Sequence, residues 1–146
     1  MPANPVRDSK GVVVPHDDPS IANCGYLIRN ISPQYHLCFD ENLGRRRIAS
    51  SAFSASKGDP DFGMSGDIGQ LLEEAGLPQQ AMVPTGFGAV RLQIGSIRQI
   101  PLKVGSDPEP DNVFHGQAWG VKASIRKKVH RLVVDWLVPI EDVEIR

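Results

Sequence analysis

Arg45-Arg46-Arg47, followed after Ile48-Ala49 by Ser50-Ser51, is the densest polar constellation in the 146-residue sequence. On a strand, Arg45 and Arg47 share one face, and the two serines follow at the strand end. Guanidinium forks beside hydroxyls suit an anionic ligand such as a phosphate or a carboxylate. The same run is equally an exposed hairpin arm with Ser50 in its turn. A second candidate is His115, in the strand-like run 113–121 with Gly116 beside it. Glycine next to a histidine lets a ligand or backbone approach closely, and a histidine so placed suits proton transfer near neutral pH. Otherwise it is a histidine on the solvent face of an edge strand, the commoner situation.

Charge is segregated although the net is only -1. No Lys or Arg occurs from 58 to 90, a stretch holding Asp59, Asp61, Asp67, Glu73 and Glu74. Lys122, Arg126, Lys127, Lys128, His130 and Arg131 fall within ten residues. A basic amphipathic helix beside a basic hairpin matches a phosphate backbone. A solvated helix face explains the same charges and is favoured, because the whole chain is not basic. Trp119 and Trp136 sit at core-like positions, so no stacking platform for bases is visible. The expected binding residues are therefore Arg29, Arg45, Arg46, Arg47, Lys127, Lys128 and Arg131. His115, Ser50 and Ser51 are weak catalytic candidates, and no catalytic set is assigned.

Several chemistries lack a signature. His16, Cys24, His36 and Cys38 are the only metal-like set, but paired zinc-ligand spacing is absent, so no metal site and no cofactor are expected. A Cys24–Cys38 disulfide would fit two paired strands, yet two cysteines and no secretion signal favour reduced thiols. The sequence carries no P-loop, G-x-S-x-G elbow, HExxH, GxGxxG or CxxC. No apolar run approaches the roughly 20 residues of a membrane span. A single cytoplasmic domain without membrane association is the expectation, with its oligomeric state open.

The elements that must position these residues read as follows. Residues 1–22, rich in Pro, Asn, Asp and Ser, are expected as a flexible, disordered tail. The domain spans 23–140, with 141–146 a short acidic tail. YLIRNI at 26–31, YHLCF at 35–39 and a short return at 46–49 suggest a β-meander. Residues 54–63 form a Gly/Pro/Asp loop. Ser65 is a candidate N-cap for a helix with Ile68, Leu71, Leu72 and Ala75 on one stripe, ended by Gly76 and Pro78. Val90, Leu92 and Ile94 alternate as a strand, 96–100 suggests one helical turn, and Leu102 and Val104 another strand. The 107–111 run is an exposed acidic loop. A final helix over 124–137 places Ile125, Val129, Leu132, Val133 and Trp136 on one face. The fold class is α+β: a single small domain with an antiparallel or mixed sheet packed by two helices.

Asp40-Glu41-Asn42-Leu43-Gly44-Arg45-Arg46-Arg47, the following Ser50-Ser51-Ala52-Phe53 and then Met64-Ser65-Gly66-Asp67 resemble a group of small bacterial proteins. Those proteins carry a G-R-x-R-x-x-S-S-x-A-F stretch, a later M-S-x-D helix start and a His-containing strand before a basic C-terminal helix. The resemblance covers roughly 26–137. It implies a bacterial setting and, since the group has no assigned activity, transfers no catalytic residues. Two functions remain in play. The first is an interaction or accessory domain that binds a partner, protein more than nucleic acid, through the basic hairpin and helix. The second is a small metal-independent enzyme on a phosphate-bearing substrate, by phosphodiester cleavage or ADP-ribosyl transfer. There Arg29, Arg45 and Arg47 would hold anionic oxygens, Ser50 or Ser51 would orient the substrate, and His115 would move the proton. That requires His115 and the 45–51 segment to share a pocket.

Overall fold

In β1 (Tyr26–Ile31) the neighbours Leu27 and Ile28 are both fully buried. Successive side chains of a strand point to opposite faces, so β1 must be covered on both. A computed structural model, which describes residues 4–56 and 62–146, places it accordingly. It lies inside a six-stranded antiparallel sheet, between β4 (Met64–Ile68) and β5 (Gly88–Gln93). Beyond β4 come β7 (His115–Trp119) and β6 (Lys103–Ser106), and β8 (Val133–Val138) closes the other edge. Helices α1 (Gly69–Glu74), α2 (Ile94–Gln99) and α3 (Arg126–Arg131) complete an α+β domain. Among the described residues no helix is long and apolar enough to cross a membrane.

The expected meander is not formed. β2 (Leu37–Asp40) and β3 (Arg45–Ile48) make a hairpin that leaves β1 and builds a separate three-stranded sheet with β9 (Val143–Glu144). The reason is composition: Asp40, Arg45, Arg46 and Arg47 cannot be buried on both faces as β1 is. Only Ile48 and Val143 of β3 and β9 reach the core. The 141–146 segment is thus no loose tail, since β9 pairs in parallel with β3, Arg46 opposite Val143.

Two helices are also corrected. Ser65 caps nothing; it lies within β4, which pairs with β1 and β7, and the helix begins at Gly69. Met64 and Ile68 are fully buried, and Gly66 lets the strand close onto β1, where an added Cβ would lie 2.7 Å from the Ile28 carbonyl oxygen. Gly76 ends α1 at φ +74, as expected. The long C-terminal helix breaks at Leu132, and 133–138 is strand instead. Its Val-Val-x-Trp-Leu-Val content favours strand, and β8 finds a ready partner in β5, where Arg91 and Asp135 pair bidentately at 2.8 and 2.6 Å. Arg91 also lies 4.3 Å above the Tyr26 ring. Tertiary pairing here overrides the helical spacing read from the sequence.

Residues 4–22 were expected as a tail, but packing begins well before Gly25. Val13 and Ile21 are buried. Arg98 donates to the carbonyls of Asp18 and Ile21, to Asn23 and to the Asp17 carboxylate. Burying a side chain such as Ile21 contributes about 2 kcal/mol, and the Arg98 hydrogen bonds add to it in holding this segment on the domain. The 54–63 loop, with Asp59 and Asp61 of the acidic stretch, lies partly outside the described residues, as does Pro2.

The register sorts the sheet into two faces. Leu27, Arg29 and Ile31 share one with Ile68, Val90, Leu92, Val104 and Ala118, under the main core. Ile28 shares the other with Asp67, His115, Gln117 and Trp119. Replacing Gly66 by alanine should destabilise the domain by about 2 kcal/mol, the overpacking range, as a lower denaturation midpoint at unchanged slope. An unchanged midpoint would mean the β1–β4 contact is looser than described.

Candidate functional site

β3 delivers Arg47 and then ends, because Ala49 turns to donate its N–H to the His36 carbonyl. The chain enters a single 3-10 turn, Ser50–Phe53, that drives Ala52 and Phe53 into the core. Ser50, first in that turn, is left half-buried at the core's edge. α3 packs against this turn. Val129 anchors the helix, fully buried, while Lys127, His130 and Arg131 follow the i, i+3, i+4 spacing of one helical face. The C-terminal segment after β9 brings the Ile145 carbonyl and Arg146 to the same place.

The result is a cleft of about 250 Å³ lined by Arg47, Ser50, Lys127, His130, Arg131 and Arg146. His130 lies at its floor, only 6% exposed and stacked on Phe53 with ring centroids 4.9 Å apart. Its Nε2 contacts the Ile145 carbonyl oxygen, and its Nδ1 lies 3.1 Å from Ser50 Oγ. A carbonyl can only accept, so Nε2 carries the proton and Nδ1 of the neutral ring accepts the Ser50 hydroxyl hydrogen. Burial holds the His130 pKa below the ordinary histidine value; the Ile145 carbonyl opposes this, and the Arg47 and Arg146 charges add to it. The imidazole is therefore a neutral base at neutral pH, pointed at a half-buried hydroxyl.

The cations around it differ in freedom. Arg47 donates Nε to Asp40 at 2.8 Å and one terminal nitrogen to the Ile48 carbonyl. That Arg47 hydrogen bond, then the Leu43 N–H, holds the Asp40 carboxyl below its usual range. Arg146 donates to the carbonyls of His130 and Val133. Each of these guanidiniums keeps a second terminal nitrogen outside those bonds. Lys127 and Arg131 are exposed, and no carboxylate among the described residues pairs with either.

The other residues singled out by sequence lie elsewhere. Arg29 is turned inward, donating to the carbonyls of Ala52 and Ser65 and to the Ser65 hydroxyl, and burial lowers its pKa to about 10. It braces the 3-10 turn from beneath and does not line the cleft. Arg45 shares the Arg47 face of β3, where it pairs with Glu144 and approaches Asp142 at 4.0 Å. Arg46 points from the opposite face, across from the exposed Phe39. Ser51 and Lys128 are exposed and outside the cleft.

His115 does not join Ser50. It stands on the sheet face opposite Arg29, with Nδ1 bonded to the Asp107 carbonyl at 2.9 Å and Nε2 3.1 Å from Glu109. Beside it Asp67 accepts from Asn112, and burial pushes its carboxyl up. The pocket shared by His115 and the 45–51 segment does not form: the cleft holds Arg47 and Ser50 of that segment, and the histidine in it is His130. His130 and Arg146 were missed; the sequence signal was the Lys-x-x-His-Arg spacing, read only as part of a charged face.

His16, Cys24, His36 and Cys38 do not assemble. His16 tilts over Trp119, His36 accepts from the Ser32 N–H, and both thiols are free. Among the described residues no group of three or more His, Cys, Asp or Glu is placed to hold a metal ion.

His130 and His36 both titrate below the ordinary value of 6.5, chiefly through burial. Between those depressed values and 6.5 the unfolded chain binds more protons, so stability falls as pH drops through that window. Denaturant unfolding at pH 7 and pH 5.5 should show the loss, with a shallower pH dependence in His130→Gln. Equal slopes for the two proteins would contradict the buried neutral imidazole.

No protein-family model, curated protein or solved structure matches this chain.

Proposed function

We propose that this chain is a binding module for a phosphate-bearing partner, held in the cleft between the 50–53 turn, α3 and the C-terminus. The observation that carries this is the convergence of Arg47, Lys127, Arg131 and Arg146 around the Ser50 hydroxyl. Four cationic side chains that have one carboxylate partner among the described residues, Asp40 on Arg47, leave unbalanced positive charge at a concave site. Guanidinium forks and a lysine are the groups that bind phosphate oxygens most strongly.

The ligand group is compact. At about 250 Å³ the cleft is just under the roughly 300–1,000 Å³ of sites for drug-sized molecules. A continuous polyanion is less favoured than a single phosphate group, because the hairpin's charge is largely spent. Arg45 is paired with Glu144, Arg47 with Asp40, and Arg46 lies on the other face. Exposed Lys128 and Lys122 extend the positive surface beyond the cleft and give a larger partner a place to rest. The bacterial, cytoplasmic setting expected from the sequence is consistent with such a role.

Each charge-assisted hydrogen bond to phosphate contributes about 1.5–3 kcal/mol, and 1.4 kcal/mol is a factor of ten in affinity. Lys127→Glu and Arg131→Glu should each weaken phosphate binding about tenfold or more, read from 31P and backbone amide NMR titrations. Lys10→Glu, on the exposed N-terminal hairpin, should leave it unchanged. Rising salt should weaken binding in the wild type. Equal affinity in all four proteins would remove the cleft as the binding site.

A further inference from the structure

Ser50 and His130 do more than line the cleft. A hydroxyl, a neutral imidazole bonded to it and a third group fixing that imidazole form the nucleophile–base–orienter arrangement of covalent catalysts. The orienter here is the Ile145 carbonyl, which reserves Nε2 and so turns Nδ1 toward Ser50. Phe53 stacked on the ring prevents it from swinging away. The base is buried while the hydroxyl it serves is half-exposed to the cleft, so an incoming group meets the oxygen and not the ring.

Resting on the phosphate-binding reading above, we propose that Ser50 is a phosphoryl-accepting nucleophile that takes its group from an acyl phosphate. Ser50 Oγ attacks phosphorus, and its proton passes to His130 Nδ1. The Oγ–P bond forms as the bond from phosphorus to the acyl oxygen breaks, and the acyl group departs as a carboxylate. Nothing is oxidised or reduced; the imidazolium then gives its proton to water and returns to neutral. A leaving group that departs as a stable anion needs no proton, which matches a site whose one imidazole among the described residues faces the nucleophile. Charge developing on the transferred group is met by Arg47 and Arg146, which hydrogen bonds hold in place before the reaction, and by the exposed Lys127 and Arg131. Ser51, next in sequence, lacks both the imidazole and the cleft.

The test is incubation of the full chain with acetyl phosphate, read by intact mass and by mapping the phosphorylated residue. One phosphoryl group on Ser50 is expected, absent in Ser50→Ala and retained in Ser51→Ala. General-base catalysis is worth roughly 10²–10⁴-fold, so His130→Gln should slow the reaction by about a hundredfold. Circular dichroism and the NMR titration with inorganic phosphate identify any variant that has lost its fold. His130→Asn, which keeps an amide beside the Ile145 carbonyl, serves if the glutamine protein does not fold. Phosphate bound in the cleft with Ser50 left unmodified, or modification at another serine, would overturn this inference and leave the binding reading standing. No binding of inorganic phosphate at all would overturn both.

Discussion

Three stretches of chain far apart in sequence are tied at one imidazole. His130 belongs to α3, its Nδ1 takes the hydroxyl hydrogen of Ser50 after β3, and its Nε2 gives its own to Ile145 at the C-terminus. A buried histidine must have its polar atoms satisfied, since an unpaired buried group costs about 1–3 kcal/mol. Here both nitrogens have partners, and each partner closes a different segment onto the helix. The three-stranded sheet depends on this tie. β9 is two residues long, too short to hold itself, and is kept beside β3 by Val143 in the core and by its neighbours' bonds to α3. The cleft lies where those segments meet.

The larger sheet supplies the rigid floor. Its central strand is apolar on both faces, and the packing differs between them: the broad core lies on the Leu27 face, a smaller cluster around Ile28 and Leu72 on the other. Arg29 is the exception, a guanidinium held under the main core. Its bonds to the Ala52 and Ser65 carbonyls link the floor to the turn that presents Ser50. The opposite face carries its own polar group, Asp67 with Asn112 and His115 with Asp107 and Glu109, in which one Asp67 oxygen is buried without a hydrogen-bond partner. Two histidines on one protein thus have unlike surroundings: carboxylates around His115, cations around His130. Only the second surrounding favours an incoming anion.

Much of this was legible in the residues. Alternation at Val90 and Leu92 marked β5, Leu102 and Val104 marked β6, the strand-like 113–121 run contains β7, and glycine and proline marked the end of α1. What could not be read is instructive in physical terms. The 124–137 segment satisfies helical and strand periods at once, and the availability of β5 as a partner, reinforced by Arg91 and Asp135, decided for strand after Leu132. Ser65-Gly66-Asp67 looks like a helix start because its polar residues suit a cap. Only the close approach to Leu27 and Ile28 shows why Gly66 sits in a strand. His115 drew attention through the neighbouring Gly116, yet that glycine serves the sheet, where an added Cβ would strike Ile68. His130 was hidden by its company, since a histidine among Lys and Arg reads as one more charge until its burial is known.

The tautomer of His130 carries the central claim, because the hydroxyl can be drawn toward Nδ1 only if the other nitrogen holds the proton. Long-range 15N–1H correlation spectra of the imidazole at pH 7 measure this directly. A neutral ring protonated at Nε2, with Nδ1 shifted as an acceptor and that shift lost in Ser50→Ala, is the predicted result. A ring protonated at Nδ1, or at both nitrogens, would contradict the account, since no lone pair would then face Ser50.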